Sequence, residues 1–440
     1  MKINVNKYIQ IAKENSITPF QLSYSYTKET TVTVFNESVE EQTIGNSYQL
    51  LAKGIVNGKL GLYSTDKIDS STPKVVVENI LESSKFGKVE KKENFFAGGK
   101  KYKKAKIYSP NFIDASLSEL QKVALEISKK VKNANPKVEK VEVTLTKVES
   151  EDQMYNDLGL KAKEKERYYS LYVSVICSSD NDTQTGFDSA HSFTSLAEIK
   201  EKADEVISSA IKQGVDFINS KPIKSGKYKG VLSPKVVASL LGFYLSGLNA
   251  KSCQKHISPF EGKLNQQICS KALTIKHTPH IESTSATSYD SEGYPTSDFI
   301  IIKKGVLLNY FHSLETARNE SVETNGCGAG LGEAIGQVAS LMPSKKSEDE
   351  LFSKVKKGIY ITNVKGLNAG IDKQTLNFSL PCEGYEIIDG KVSKATSMII
   401  CSGNLKDLFN DVIAVSNNTK NLSSIITPSI LVKKITISGN

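Results

Sequence analysis

Zinc-dependent hydrolysis needs imidazole, thiolate or carboxylate ligands at fixed spacing and one open coordination position. The chain has five histidines, His191, His256, His277, His280 and His312, and none lies in an HExxH pattern. His277-Thr278-Pro279-His280 has a metal-ligand spacing that Cys253 or Cys269 could complete if the chain brought them near. Pro279 prevents a regular helix from presenting both rings on one face, so the expectation is a loop with two surface imidazoles. Asp290 and Glu292 stand two residues apart. On a strand they would share a face and work as an acid–base or cation-binding pair, and in a turn they would hydrogen-bond locally. Thr324-Asn325-Gly326-Cys327-Gly328-Ala329-Gly330-Leu331-Gly332 is glycine-rich, but it lacks the lysine and hydroxyl of a phosphate loop. It reads as a turn that lets another chain or a peptide approach closely, and Cys327 within it as a small buried thiol.

The elements that must position these groups fall into three segments. The first, residues 1–110, opens with a helix over Val5 to Glu14. Strands follow over Gln21 to Ser25, Thr30 to Phe35 and Tyr48 to Val56, and Asn57-Gly58 then signals a hairpin. Pro73 opens a second helix, and a lysine-rich linker runs from Lys85 to Lys106. Residues 111–220 repeat the order: a helix capped by Ser116 with Glu119 three residues on, strands over Val138 to Leu145, Gln153 to Tyr155 and Tyr168 to Cys177, and a helix from Leu196 to Ile211. Phe35-Asn36 is echoed by Tyr155-Asn156, and Tyr48-Gln49-Leu50 by Tyr169-Ser170-Leu171, a separation of about 120 residues that suits a duplicated unit. The third segment, 221–440, has one apolar helix from Ser233-Pro234 to Leu248. Strands and turns follow, with hairpins at Lys303-Lys304-Gly305 and Asp389-Gly390, a helix near Leu405 to Val415 and a last strand over Ile430 to Ile437. The fold class expected is α+β: an N-terminal α/β region of two similar helix–strands–helix units, and a C-terminal β-rich domain, barrel-like or sandwich, with few helices.

A chain of 440 residues exceeds one compact core. The formal charge of +9 is almost all lysine, since Arg167 and Arg318 are the only arginines. Specific nucleic-acid readers lean on the arginine fork, so no specific nucleic-acid partner is expected. The Lys85–Lys106 run reads as a solvated linker. No apolar stretch has membrane-spanning length, Met1 to Asn6 contains no secretory apolar region, and the cysteines show no CxxC spacing. Free thiols in a reducing cytoplasm, away from any membrane, are the expectation.

Six motifs stand out after Pro234: Tyr289-Asp290-Ser291-Glu292-Gly293-Tyr294-Pro295-Thr296, Ile302-Lys303-Lys304-Gly305-Val306-Leu307, Thr316-Ala317-Arg318 and Thr324-Asn325-Gly326, then Ile387-Ile388-Asp389-Gly390-Lys391-Val392 and Ser402-Gly403-Asn404-Leu405. In these motifs the chain from Pro234 onward resembles the TldD/PmbA family, also called modulator of DNA gyrase. The first two segments match the family by order of elements. TldD-type members carry HExxxH on the first helix of the C-terminal domain, and TldE/PmbA-type members lack it and pair with the zinc subunit. If Leu240-Leu241 aligns with the apolar pair before that motif, the histidine, glutamate and histidine positions are Gly242, Phe243 and Gly247. The resemblance therefore implies a TldE/PmbA-type chain with no catalytic residue, no metal and no cofactor of its own. Zinc is expected in a TldD-type partner, in a heterodimer or higher oligomer that degrades or processes unfolded, extended peptides. Such peptides could add as a strand to an exposed sheet edge, and Asp290, Glu292, Gly293, Thr324, Gly326 and Gly328 are candidate peptide- or partner-contact positions. The alternatives are a stand-alone homodimer that binds peptides and, on the family's older name, an action on gyrase or DNA.

Overall fold

Local signals explain the first elements directly in the computed structural model, which describes residues 3–440. Helix α1 (Val5–Glu14) starts where Asn4 accepts the Lys7 N–H. The chain then enters β1 (Phe20–Phe35), β2 (Ser38–Val56) and β3 (Lys59–Thr65), with Asn57 and Gly58 both left-handed in the β2–β3 turn. Helix α2 (Thr72–Ser84) follows with Pro73 in its first turn. Helix α3 (Leu117–Ala134) opens on a full capping box, Ser116 with Glu119. Strands β4 (Val138–Asn156), β5 (Lys161–Ser179) and β6 (Asp182–Ser192) lead to α4 (Leu196–Asp216).

These strands form one antiparallel sheet in the order β3-β2-β1-β4-β5-β6. The two α/β units meet at its centre through the β1–β4 pair. A 120-residue separation makes Lys28 equivalent to Val148 and Glu29 equivalent to Glu149. The observed pairs are Lys28↔Glu149 and Glu29↔Val148, so a pseudo-twofold axis passes through this point. Alternate residues of β1 and β2, Phe20, Leu22, Leu50 and Ala52, meet Tyr8, Ala12, Val76, Val77 and Ile80 of α1 and α2 in one core.

Two expected breaks in strands are absent. Gln21–Ser25 and Thr30–Phe35 belong to one strand, because β2 and β4 both pair through Tyr26, Thr27, Lys28 and Glu29. Val138–Leu145 and Gln153–Tyr155 likewise join in β4. The lapse in hydrophobic alternation marks a half-exposed stretch of sheet and leaves the hydrogen bonding intact. Strand β6 has no strong signal of its own, being polar and at an edge.

A second unit comprises residues 216–287 and 296–440, while Ser288–Pro295 belongs with residues 1–215. It begins with β7 (Gly226–Leu232), α5 (Pro234–Ser246), α6 (Ala250–Gln254), β8 (Ile275–His277), β9 (Phe299–Lys303), β10 (Val306–Leu307) and α7 (Leu314–Asn319). Then come β11 (Gly328–Gly330), β12 (Glu333–Ala334), β13 (Ala339–Leu341), α8 (Glu348–Phe352), β14 (Lys357–Val364), α9 (Leu367–Gly370), β15 (Asn377–Ile388) and β16 (Lys391–Asn404). Helix α10 (Leu405–Asn410), β17 (Val412–Val415), β18 (Lys420–Leu422), β19 (Ile425–Thr427) and β20 (Ile430–Ser438) end the chain. Strands β16-β15-β14-β7-β20 close into a five-stranded barrel through the β16–β20 pairing. A mixed sheet β10-β9-β8-β13-β19-β18 accompanies it, and α5 packs on β14 and β19. The helix expected over Leu405–Val415 stops at Asn410, and its second half is β17, paired with β20. Among the described residues no helix is long and apolar enough to cross a membrane.

Candidate functional site

Helix α5 holds the segment compared with the zinc motif of TldD-type chains. Ser233 caps it by accepting the Val236 N–H, with Pro234 in the first turn. Val236, Val237, Leu240, Leu241, Tyr244 and Leu245 are buried in the core of the second unit. Tyr244 is fully enclosed, donates to the Ile268 carbonyl at 2.7 Å and packs against Phe260 and Phe409, both at 4.8 Å between centroids.

The three positions that would replace a zinc motif differ in their surroundings. A Cβ on Gly242 would meet nothing within 4 Å. Phe243 is partly exposed, with the Lys373 ammonium 5.9 Å from its ring centre. Gly247 ends the helix, and a Cβ there would fall 2.9 Å from Phe260 and 3.2 Å from Pro259. Among the described residues, no three His, Cys, Asp or Glu side chains converge as metal ligands.

The Asp290–Glu292 segment lies in a turn of the first unit, closed by the Tyr289↔Pro295 bridge, so the two carboxylates do not share a strand face. Asp290 Oδ1 accepts the Glu292 N–H at 2.9 Å and the Tyr294 N–H at 3.0 Å, the local role of an aspartate in a turn. Gly293 is left-handed, and a Cβ on it would overlap Leu160 and Met154. Both carboxylates are buried. Burial lowers the pKa of Lys53 on β2, and Glu292, Glu90 and Asp290 act in the opposite direction. The acidic turn therefore supplies counter-charge to a lysine.

The lysines of the Lys85–Lys106 segment are exposed, as expected of a solvated linker, but its aromatic residues anchor it. Phe95 and Phe96 are buried. Phe96 meets Tyr294 at 4.9 Å, Lys100 lies over the Tyr294 ring at 4.5 Å, and Tyr102 donates to the Gly293 carbonyl at 2.9 Å. Burial and the charge of Asp290 push the Tyr102 hydroxyl up to about 12. Sequence reasoning missed this clamp; its signal was the aromatic residues spaced among the lysines.

His277 and His280 are buried, contrary to the expected surface loop, because β8 carries His277 into the core. His277 Nδ1 lies 2.7 Å from the Ser297 carbonyl, and Nε2 accepts the Gln337 N–H at 3.2 Å. Burial pulls this imidazole down to about 4, so it is neutral. His280 joins Asp298 at 3.1 Å and Thr296 at 3.0 Å. This acid–imidazole–hydroxyl order resembles a nucleophile triad, but Thr296 is buried and its hydroxyl donates to the Thr287 carbonyl at 2.7 Å. The chain of bonds ties three loops together.

In the second unit, Thr324 donates to the His312 carbonyl at 2.9 Å, and Gly326 is left-handed, its carbonyl held by Gln337 at 3.1 Å. Gly328 begins a short hairpin with Leu331 exposed at its tip, and Cys327 is fully buried. The candidate contact positions thus divide between two units, Asp290, Glu292 and Gly293 in the first, Thr324, Gly326 and Gly328 in the second.

A family model described as the PmbA/TldA metallopeptidase C-terminal domain matches residues 225–439, and one described as the central domain matches 110–213. A PmbA homologue of Buchnera aphidicola, named a metalloprotease, is 24% identical over 286 residues, 65% of this chain and 62% of the relative. The chain thus spans less than two thirds of the length of that relative. A crystal structure described as a modulator of a DNA gyrase, from Thermotoga maritima, superposes with a TM-score of 0.88 at 28% identity, covering 99% of both chains. TldE from Thermococcus kodakarensis shares the fold, with a TM-score of 0.83 at 18% identity over 99% of this chain and 100% of that one. The chain belongs to the PmbA/TldD family of metalloprotease-like proteins.

Proposed function

We propose that this chain is the zinc-less, TldE/PmbA-type subunit of a metalloprotease complex whose TldD-type partner holds the zinc. The observation that carries the reading is the makeup of α5 and its C-cap: with Leu240-Leu241 taken as the apolar pair before the motif, Gly242, Phe243 and Gly247 stand where the metal-binding triad would. None of these residues can bind zinc or take a proton from a bound water. The relatives named as metalloproteases supply the reaction class, and the fold shared with TldE supports the subunit assignment.

In this reading the partner performs the hydrolysis, and this chain completes the assembly that receives unfolded or extended peptides. Six free, buried cysteines suit a reducing cytoplasm. The scarcity of arginine weighs against a direct action on DNA.

Affinity purification of the chain from its native cell, at its natural level, tests the reading. An HExxxH-bearing relative should co-purify in a fixed ratio. Recovery of the chain alone, or with DNA gyrase in its place, would contradict it.

A further inference from the structure

The two halves of the first unit treat equivalent sheet edges differently. In the second half, β6 covers β5 only from Tyr169 to Ser179. The remaining edge is shielded: the Arg167 N–H donates to the Ile107 carbonyl at 2.9 Å, and its guanidinium donates to Ser109 at 3.1 Å. That guanidinium also lies over Tyr108 at 4.6 Å and Phe112 at 4.3 Å. In the first half, β3 covers β2 only from Leu50 to Val56. Residues 38–49 keep a strand partner on one side only, β1, and residues 40–47 are all exposed.

This bare edge lacks the usual protection against strand pairing. From Gln42 to Gln49 it has no charge and no proline, and Ile44 is 57% exposed at its middle.

We infer that this edge pairs with the same edge of a second copy of the chain, antiparallel about a twofold axis at Ile44. The sequence is complementary to itself in that register. Glu40 falls opposite Tyr48, Glu41 opposite Ser47 and Gln42 opposite Asn46, so no carboxylate meets another, and the two Ile44 side chains meet on the axis. The result is one continuous twelve-stranded sheet from two six-stranded ones. An edge contact is smaller than a standard interface, so the dimer is weak and concentration-dependent. The inference does not rest on the zinc-less assignment.

Sedimentation velocity of the full chain over a concentration series, with Ile44→Lys beside the wild type, is the test. The wild type should shift toward dimer as concentration rises, and the variant, with unchanged circular dichroism, should associate at least tenfold more weakly. Ile44→Cys should form a reducible covalent dimer under mild oxidation, while Lys74→Cys on the exposed face of α2 should not. A wild type that stays monomeric, a dimer that Ile44→Lys leaves intact, or no cross-link at position 44 overturns the inference. If a β-forming peptide binds the monomer and Ile44→Lys abolishes that binding, the edge belongs to a peptide instead.

Discussion

A Cβ on Gly247 would stand 2.9 Å from the ring of Phe260, which is itself buried edge-to-face against Tyr244. The space beside Gly247 is therefore filled from outside the helix. Gly242, five residues earlier, has open space around it.

Gly242→Ala should stabilise the protein by about 0.5–1 kcal/mol, since a mid-helix glycine gives up more backbone freedom than alanine. Gly247→Ala should destabilise it by roughly 1–3 kcal/mol through overlap with Phe260. Urea denaturation of both variants reads the opposite signs. The graft Gly242→His, Phe243→Glu, Gly247→His should unfold more easily and bind no stoichiometric zinc by elemental analysis.

Gly293→Ala combines a left-handed backbone with overlap against Leu160 and Met154. A loss of at least about 2 kcal/mol in denaturant titrations is expected. A neutral effect would show that the turn does not pack as described.

Lys53→Met removes one positive charge that acts on the buried Glu292 and Asp290, and should cost about 0.5–3 kcal/mol. The double variant with Glu292→Gln should recover part of that loss. Simple additivity in the thermodynamic cycle would remove Glu292 as the partner.

His277 gives a pH dependence of definite sign. Its ordinary value of 6.5 falls to about 4 in the fold, so between these values the unfolded chain binds a proton that the native chain does not. Its stabilising contribution is complete above about pH 6.5 and disappears as pH falls through that window toward 4. The wild-type urea midpoint should drop over that range, and His277→Gln should show a flatter profile. Equal slopes would mean that His277 titrates normally.

Helix boundaries were legible where a local signal acts alone. The Ser116–Glu119 box, Pro73 and Asn57-Gly58 each act through bonds within a few residues, and each terminus or turn lies where expected. The 120-residue echo also told of a duplication, whose dyad falls at Lys28 and Glu149. Long-range burial was not legible. Tyr26–Glu29 looks like a break only because one sheet surface is wet there, and nothing near His277 in sequence says that Phe299 and Phe311 enclose it. The same holds for the candidate site: Gly242 and Gly247 read alike as missing ligands, and only packing separates an open position from a filled one.

The most direct measurement is peptide hydrolysis together with zinc content for the purified chain, alone and mixed with an HExxxH-bearing relative. The chain alone should neither hydrolyse an unfolded peptide nor retain stoichiometric zinc, and the mixture should gain hydrolysis that a chelator removes. Chelator-sensitive hydrolysis by the chain alone, with zinc held by its own side chains, would contradict the account.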